Sequence, residues 1–441
     1  INAVNFCVIP MRSGSRRSQG SSSISPFRLL LLGVLAALLI LIFFTLAHDS
    51  HVAPARPLTG SSVDTPKPRE KSPTQTNEAH YSLYQPPIVQ QQPKKKPKIA
   101  YAITVTKDGP FVDGALVLGY AAKKYHNFKK GFSSAYDVDL VAFAAPPVKT
   151  TIPILEKFGW KVLKRQLPVA LDEIQNKAYA EKMRNSGCCG ADEFLKLWAF
   201  TLTDYHRVIH LDMDSIIYKN MDEIFNLDYE LLYTGDYNMK GNCKYPPVQG
   251  GFLVIKPSLK TFEEFQAIIR KGNYGSQGWE GSKIGNYWGG QTIQGILPYY
   301  YNIVHPGTGK ELNRCVYNCM VDNPYRPNTR ICQDGHETCE DCRLQKPEMV
   351  SSAHFTICQK PWTCTRHTNP RNKDLCTVLH SKWFDLRNEF ESELGIDTSY
   401  RTTASPFKES YGMCQRYYGK YHPIPIDRVK QFPAYAAVPA Q

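Results

Sequence analysis

The chain has 441 residues, of which 42% are hydrophobic and 21% charged, so it exceeds one typical domain and carries enough apolar material for a sizeable core. Its net charge of +13 raises nucleic acid as a partner, but the distribution argues against one. Residues 1–98 hold twelve Lys/Arg against four Asp/Glu, so most of the excess lies there; the remainder is spread thinly, without a DNA- or RNA-binding signature.

Leu29–Ala47 is an uncharged and almost wholly apolar run, close to the ~20 residues that cross a bilayer core as a helix. Arg12, Arg16, Arg17 and Arg28 precede it and Asp49 follows, which predicts a type II signal anchor with its N-terminus in the cytosol. The expected layout is a cytosolic tail (1–27), an anchor (28–48) and a stem (49–97). The stem is rich in Pro, Ser, Thr and Gln and ends in Lys94-Lys95-Lys96-Pro97-Lys98, a composition that buries too little apolar surface to fold. The bulk of the chain is then lumenal, in the Golgi or endoplasmic reticulum. Thirteen cysteines fit an oxidising compartment. Cys7 precedes the anchor and twelve lie from Cys188 onward, an even number that predicts disulfides. The rival for Cys315, Cys319, Cys332, Cys339 and Cys342 is a zinc site, because Cys339-x-x-Cys342 has ligand-like spacing.

Beyond the stem, strand and helix signals alternate. Ile99–Thr106 is a short run rich in β-branched residues, ended by Lys107-Asp108-Gly109-Pro110. Phe111–Lys124 has helical periodicity, Val138–Ala144 is strand-like, Ile152–Phe158 helical, Trp160–Leu163 a strand, Ala191–Leu202 helical and Arg207–Leu211 a strand. This order predicts βαβ units in an α/β domain with a mostly parallel central sheet.

Asp212-Met213-Asp214 follows the last of these strands. Two carboxylates at the carboxyl end of a buried strand stand where open α/β sheets bind ligands. Hard cations such as Mn²⁺ or Mg²⁺ take carboxylate oxygens and bridge to diphosphates, and they stabilise the charge a departing diphosphate gains.

Five blocks, in order, resemble glycosyltransferase family 8, the glycogenin-like retaining transferases. They are the stretch Thr104–Gly119; Phe194–Trp198 with His210–Ile217; Gln249–Ser258; Gly289–Leu297; and His354–Trp362, which matches a late His-x-x-Gly-x-x-Lys-Pro-Trp motif. The resemblance implies a single nucleotide-sugar-binding, Rossmann-like (GT-A type) domain over 98–441, with a Cys-rich insertion at about 310–380. It assigns Asp212, Asp214 and His354 to a Mn²⁺ or Mg²⁺ ion, and Lys360 to the donor diphosphate. Thr104, Thr106 and Asp108 would line the UDP-sugar site, and Lys196 would lie near the donor sugar. Trp362 fits either the site or the core.

Three positions depart from the pattern. The family's helical Asp falls at Ile293, its Asn-Ser-Gly is Gln249-Gly250-Gly251, and the late glycine is Ile357. Gln291 and Gln294 are the residues expected to substitute for the missing Asp by hydrogen bonding. The resulting expectation is transfer of a sugar from a UDP-sugar to a glycan, protein or lipid acceptor. Its alternatives are an inactive sugar-binding or scaffold protein and a self-glucosylating primer, the latter suggested by Tyr411, Tyr417, Tyr418 and Tyr421.

Overall fold

The computed structural model describes residues 96–126, 131, 134–186, 190–240, 244–326, 329–433 and 435. The anchor and stem expected at 28–48 and 49–97, like Cys188, Cys189 and Cys243, lie outside the described residues, apart from Lys96 and Pro97. Among the described residues no helix is long and apolar enough to cross a membrane.

Strand β1 (Lys98–Val105) is buried along nearly its whole length, as a strand covered on both faces must be, and its continuous apolar sequence follows from that. It runs parallel to β2 (Asp137–Ala144), which runs parallel to β3 (Trp160–Lys164). On its other side it pairs in parallel with β4 (Arg207–Leu211). After the short β5 (Ser215–Ile217), β6 (Leu231–Gly235) and β7 (Val248–Ile255) extend the sheet, with β7 antiparallel to both β4 and β6. Beyond a two-residue hairpin of β8 (Tyr274–Gly275) and β9 (Gly278–Trp279), β10 (Gly309–Glu311) joins β6 in parallel. The seven-stranded order is β10-β6-β7-β4-β1-β2-β3, the mostly parallel sheet the sequence predicts.

Side chains of β1 alternate between two cores. Tyr101 and Ile103 pack with helix α1 (Val112–Tyr125) and the long C-terminal helix, while Ala100 and Ala102 face the segment Ala191–Thr201 and the helix Leu259–Lys271. Helix α2 (Thr151–Lys157) connects β2 to β3. Ala191–Thr201 is helical as expected, but it is wound as a 3₁₀ helix over eleven residues, where such runs seldom exceed 3–4 residues.

The Cys-rich stretch is woven into the domain. It contributes β10, and β11 (Ser352–His354) pairs antiparallel with β5. Disulfides join Cys315 to Cys342, Cys332 to Cys339, Cys358 to Cys376 and Cys364 to Cys414. Cys319 is left as a buried thiol, pushed up to about 12 chiefly by burial. Cys339 and Cys342 each pair with a different partner, so the zinc alternative is set aside in favour of disulfides.

Candidate active site

The site is assembled where β4 ends. Asp212 N–H donates to the Gly251 carbonyl (3.2 Å), and Ser215 N–H to the Asp212 carbonyl (2.9 Å), which closes the turn. The β5–β11 register then sets His354 opposite Ser215, and Phe355 N–H binds the Asp214 carbonyl at 2.9 Å. Gly251 is required here: a Cβ on it would lie 2.5 Å from the His354 ring.

Each carboxylate is shared between two cationic partners. Asp212 Oδ1 meets Lys196 Nζ at 2.9 Å and Asp212 Oδ2 faces His354 Nε2 at 3.9 Å. Asp214 Oδ2 meets Lys360 Nζ at 3.0 Å and Asp214 Oδ1 faces His354 Nε2 at 3.3 Å. One donor atom from each of Asp212, Asp214 and His354 lies within 4.8 Å of the others, a spread that a single ion with bonds of ~2.0–2.6 Å spans. Two carboxylates and an imidazole therefore fit a divalent cation, and each aspartate has one oxygen toward a lysine and the other toward His354. Burial alone would push the Asp214 carboxyl up, but His354 and Lys360 outweigh it and hold it well below the usual range. Burial would likewise push His354 down, and Asp214 reverses it.

Lys196 is 5% exposed. Its ammonium has three donors, and they meet Asp212, Glu193 Oε2 at 2.9 Å and the Gly250 carbonyl at 3.1 Å. Burial lowers its pKa, but Asp212 and then Glu193 more than reverse this and hold it charged.

The remaining expectations divide. Thr104 Oγ1 lies 2.8 Å from His210 Nε2, and burial pushes His210 down to about 3, leaving it neutral. Thr106 is half-buried just past the end of β1. Asp108 is held by a neighbouring helix. Its carboxylate accepts from the backbone N–H groups of Lys149, Thr150 and Thr151 at 2.8–3.1 Å and caps α2; those bonds, led by Thr151, hold it well below the usual range. Gln291 is buried and donates to Ser186 Oγ, while the Gln294 carbonyl accepts from Tyr287. Ile293, Lys196 and Glu193 all border Gly250. Trp362 is a core aromatic, 7% exposed and packed against Phe111 and Trp383.

Sequence reasoning missed two acids. Glu193 immediately precedes the block Phe194–Trp198 and stands one helical turn before its lysine. Asp236 ends β6 at the same sheet edge as Asp212, and its position after the run Leu231–Gly235 was the available signal. Burial, then Asp322, pushes its carboxyl up to about 6.

Fold and site together define an α/β protein with an Asp-x-Asp, His and Lys cluster at the carboxyl edge of its sheet. No protein-family model matches the chain. Inositol phosphorylceramide glucuronosyltransferase 1 of Arabidopsis thaliana is 26% identical over 206 residues, 46% of this chain and 30% of that protein. Human glycogenin-1 is 24% identical over 204 residues, 46% of this chain and 52% of that protein. The chain thus spans from under a third to about half the length of these relatives. Among solved structures, mouse xyloside xylosyltransferase 1 aligns with a TM-score of 0.40 at 14% identity, over 58% of this chain and 98% of that one. By sequence, the chain is a distant relative of the glycogenin-like glycosyltransferases, the class its motifs resemble.

Proposed function

We propose that this chain is a metal-dependent, retaining glycosyltransferase that moves a sugar from a UDP-sugar to a glycan, protein or lipid acceptor. The carrying observation is the convergence of Asp212, Asp214 and His354 on one space, flanked by Lys196 and Lys360. Mn²⁺ or Mg²⁺ held by those three residues would supply positive charge to the donor diphosphate as the sugar–phosphate bond breaks. Lys360 presents a second cation for the phosphates, as lysine commonly does. Thr104 near the end of β1 and Thr106 just past it stand at the edge expected to take the nucleotide, and Lys196 holds the Asp212 side of the site. No second free carboxylate pair of the glycosidase kind is required: the leaving phosphate can take the acceptor hydroxyl's proton on the same face while fixed charges stabilise the separating groups. The four disulfides among the described residues fit a lumenal setting, with the run at 28–48 as anchor.

The test is calorimetric titration of UDP, with and without Mn²⁺, on wild type and Asp214→Asn. Wild type should bind at least tenfold more tightly with Mn²⁺, and Asp214→Asn should lose that gain. Because Asp214 also pairs with Lys360 and His354, the variant should melt somewhat lower without ion. Equal UDP affinity in all four titrations would remove the metal site and with it the enzyme reading.

A further inference from the structure

Side chains three apart on a 3₁₀ helix eclipse one another. The tight winding of Ala191–Thr201 therefore stacks Glu193 directly beside Lys196 and gives their 2.9 Å ion pair. Glu193 stands outside the Asp212–Asp214–His354 donor set and reaches it only through that lysine. Gly250 marks the place. A Cβ there would lie 2.9 Å from Ile293 Cγ2, 3.3 Å from Lys196 Nζ and 3.8 Å from Glu193 Oε2. At Ile293 the helix Ile293–Tyr299 thus presents a methyl group beside a buried ammonium, where an acid on that helix would find its partner. The acid comes from the other side of the lysine instead.

We propose that Glu193 is the positioning residue of the site: its carboxylate receives the Lys196 ammonium when Asp212 turns to a cation, and so does the work for which the chain has no acid at 293. Lys196 uses all three donors, one of them on Asp212. A cation drawing on Asp212 weakens that contact, and a buried ammonium left with only the Gly250 carbonyl is costly. With Glu193 in place the lysine remains charged and fixed beside the sugar end of the site. Without it the lysine stays on Asp212 and competes with the ion. This inference rests on the metal-site reading above, but its test separates the two.

Mn²⁺ titration of the nucleotide-free protein is the direct readout. Glu193→Gln should bind Mn²⁺ several-fold more weakly than wild type. In a Lys196→Met background the same substitution should have no further effect, because its action runs through the lysine; two residues in contact show such coupling. Glu193→Gln should also lower kcat for UDP release from a UDP-sugar by tenfold or more while moving KM less than threefold. Adding Ile293→Asp should restore both Mn²⁺ affinity and kcat by returning a carboxylate to the lysine's other flank. Unchanged Mn²⁺ affinity in Glu193→Gln overturns the proposal, as does a penalty of equal size in the Lys196→Met background. If the Mn²⁺ pattern holds but wild type releases UDP from no UDP-sugar, the transferase reading fails and the role of Glu193 stands.

Discussion

Asp214 and Asp236 are both buried carboxyls near His354, and their surroundings drive them in opposite directions. Asp214 has His354 at 3.3 Å and Lys360 at 3.0 Å, which outweigh its burial. At Asp236 burial dominates, Asp322 adds to it, and His354 and the backbone N–H groups of Met239 and Asn238 only partly offset the rise to about 6. The folded protein therefore holds a proton on Asp236 that the unfolded chain, with its carboxyl near 3.8, has already released between about pH 4 and pH 6. Folded protein binds more protons across that window, so this group lowers stability as pH rises through it, by up to ~3 kcal/mol for the full shift. Asp236→Asn keeps the acceptor oxygen and removes the charge. The variant should match wild type near pH 4 and exceed it by ~1–3 kcal/mol at pH 8. Urea unfolding at pH 4, 6 and 8 measures the gap; a gap independent of pH would show that Asp236 ionises freely in the fold.

The elements were legible where period and length agree, and the site where chemistry collects at a strand end. Continuous apolar runs gave β1, β2 and β4 nearly to their final residues, because strands covered on both faces have no polar side to show. The winding of Ala191–Thr201 was not legible, since over eleven residues a period of 3.0 and one of 3.6 place Phe194, Leu197 and Phe200 on nearly one face. The capping bonds of Asp108 were not legible for a related reason: the turn Asp108-Gly109-Pro110 is local, whereas the amides its carboxylate caps lie some forty residues on. The first turn of α1 shows how closely the elements must meet at the site. A Cβ on Gly114 would lie 2.2 Å from the Met213 carbonyl and 2.6 Å from the Trp362 ring, and Met213 separates Asp212 from Asp214. Gly114→Ala should therefore push the Asp212–Asp214 turn away from His354. The expected result is a stability loss of ~1–3 kcal/mol, typical of overpacking, together with a Mn²⁺ affinity at least tenfold weaker. Thermal melts and Mn²⁺ titration check both; full ion binding in a stable Gly114→Ala protein would mean that the turn tolerates the shift.

Over the whole molecule, the C-terminal third holds the late motif against the sheet. Cys358–Cys376 ties the loop before Lys360 to the start of the helix Lys373–Glu393, and Cys364–Cys414 ties the residue after Thr363 to the final segment. That segment is also fixed inside by charge. Arg387, fully buried, pairs with Glu391 at 2.7 Å and lies 3.7 Å from Asp113, which accepts from Tyr421 and the Ile424 N–H. Tyr421 is half-buried, with its hydroxyl held by Asp113. Cysteine count and compartment foretold disulfides, but pairing depends on which loops the sheet brings together, which no spacing reveals. The pairing now separates two bonds by the loop each closes: 50 residues for Cys364–Cys414 and 7 for Cys332–Cys339. On loop-closure entropy the longer bond contributes ~4 kcal/mol and the shorter ~2 kcal/mol. Replacing both cysteines of a pair by alanine should reproduce that order in urea unfolding, with the Cys364–Cys414 variant the less stable. The same variant should weaken UDP binding in the presence of Mn²⁺, because the chain holding Lys360 loses its nearest C-terminal tether, while the Cys332–Cys339 variant should bind as wild type does. A larger loss from the short loop would place the stability of this region in local packing and not in the constraint on the unfolded chain.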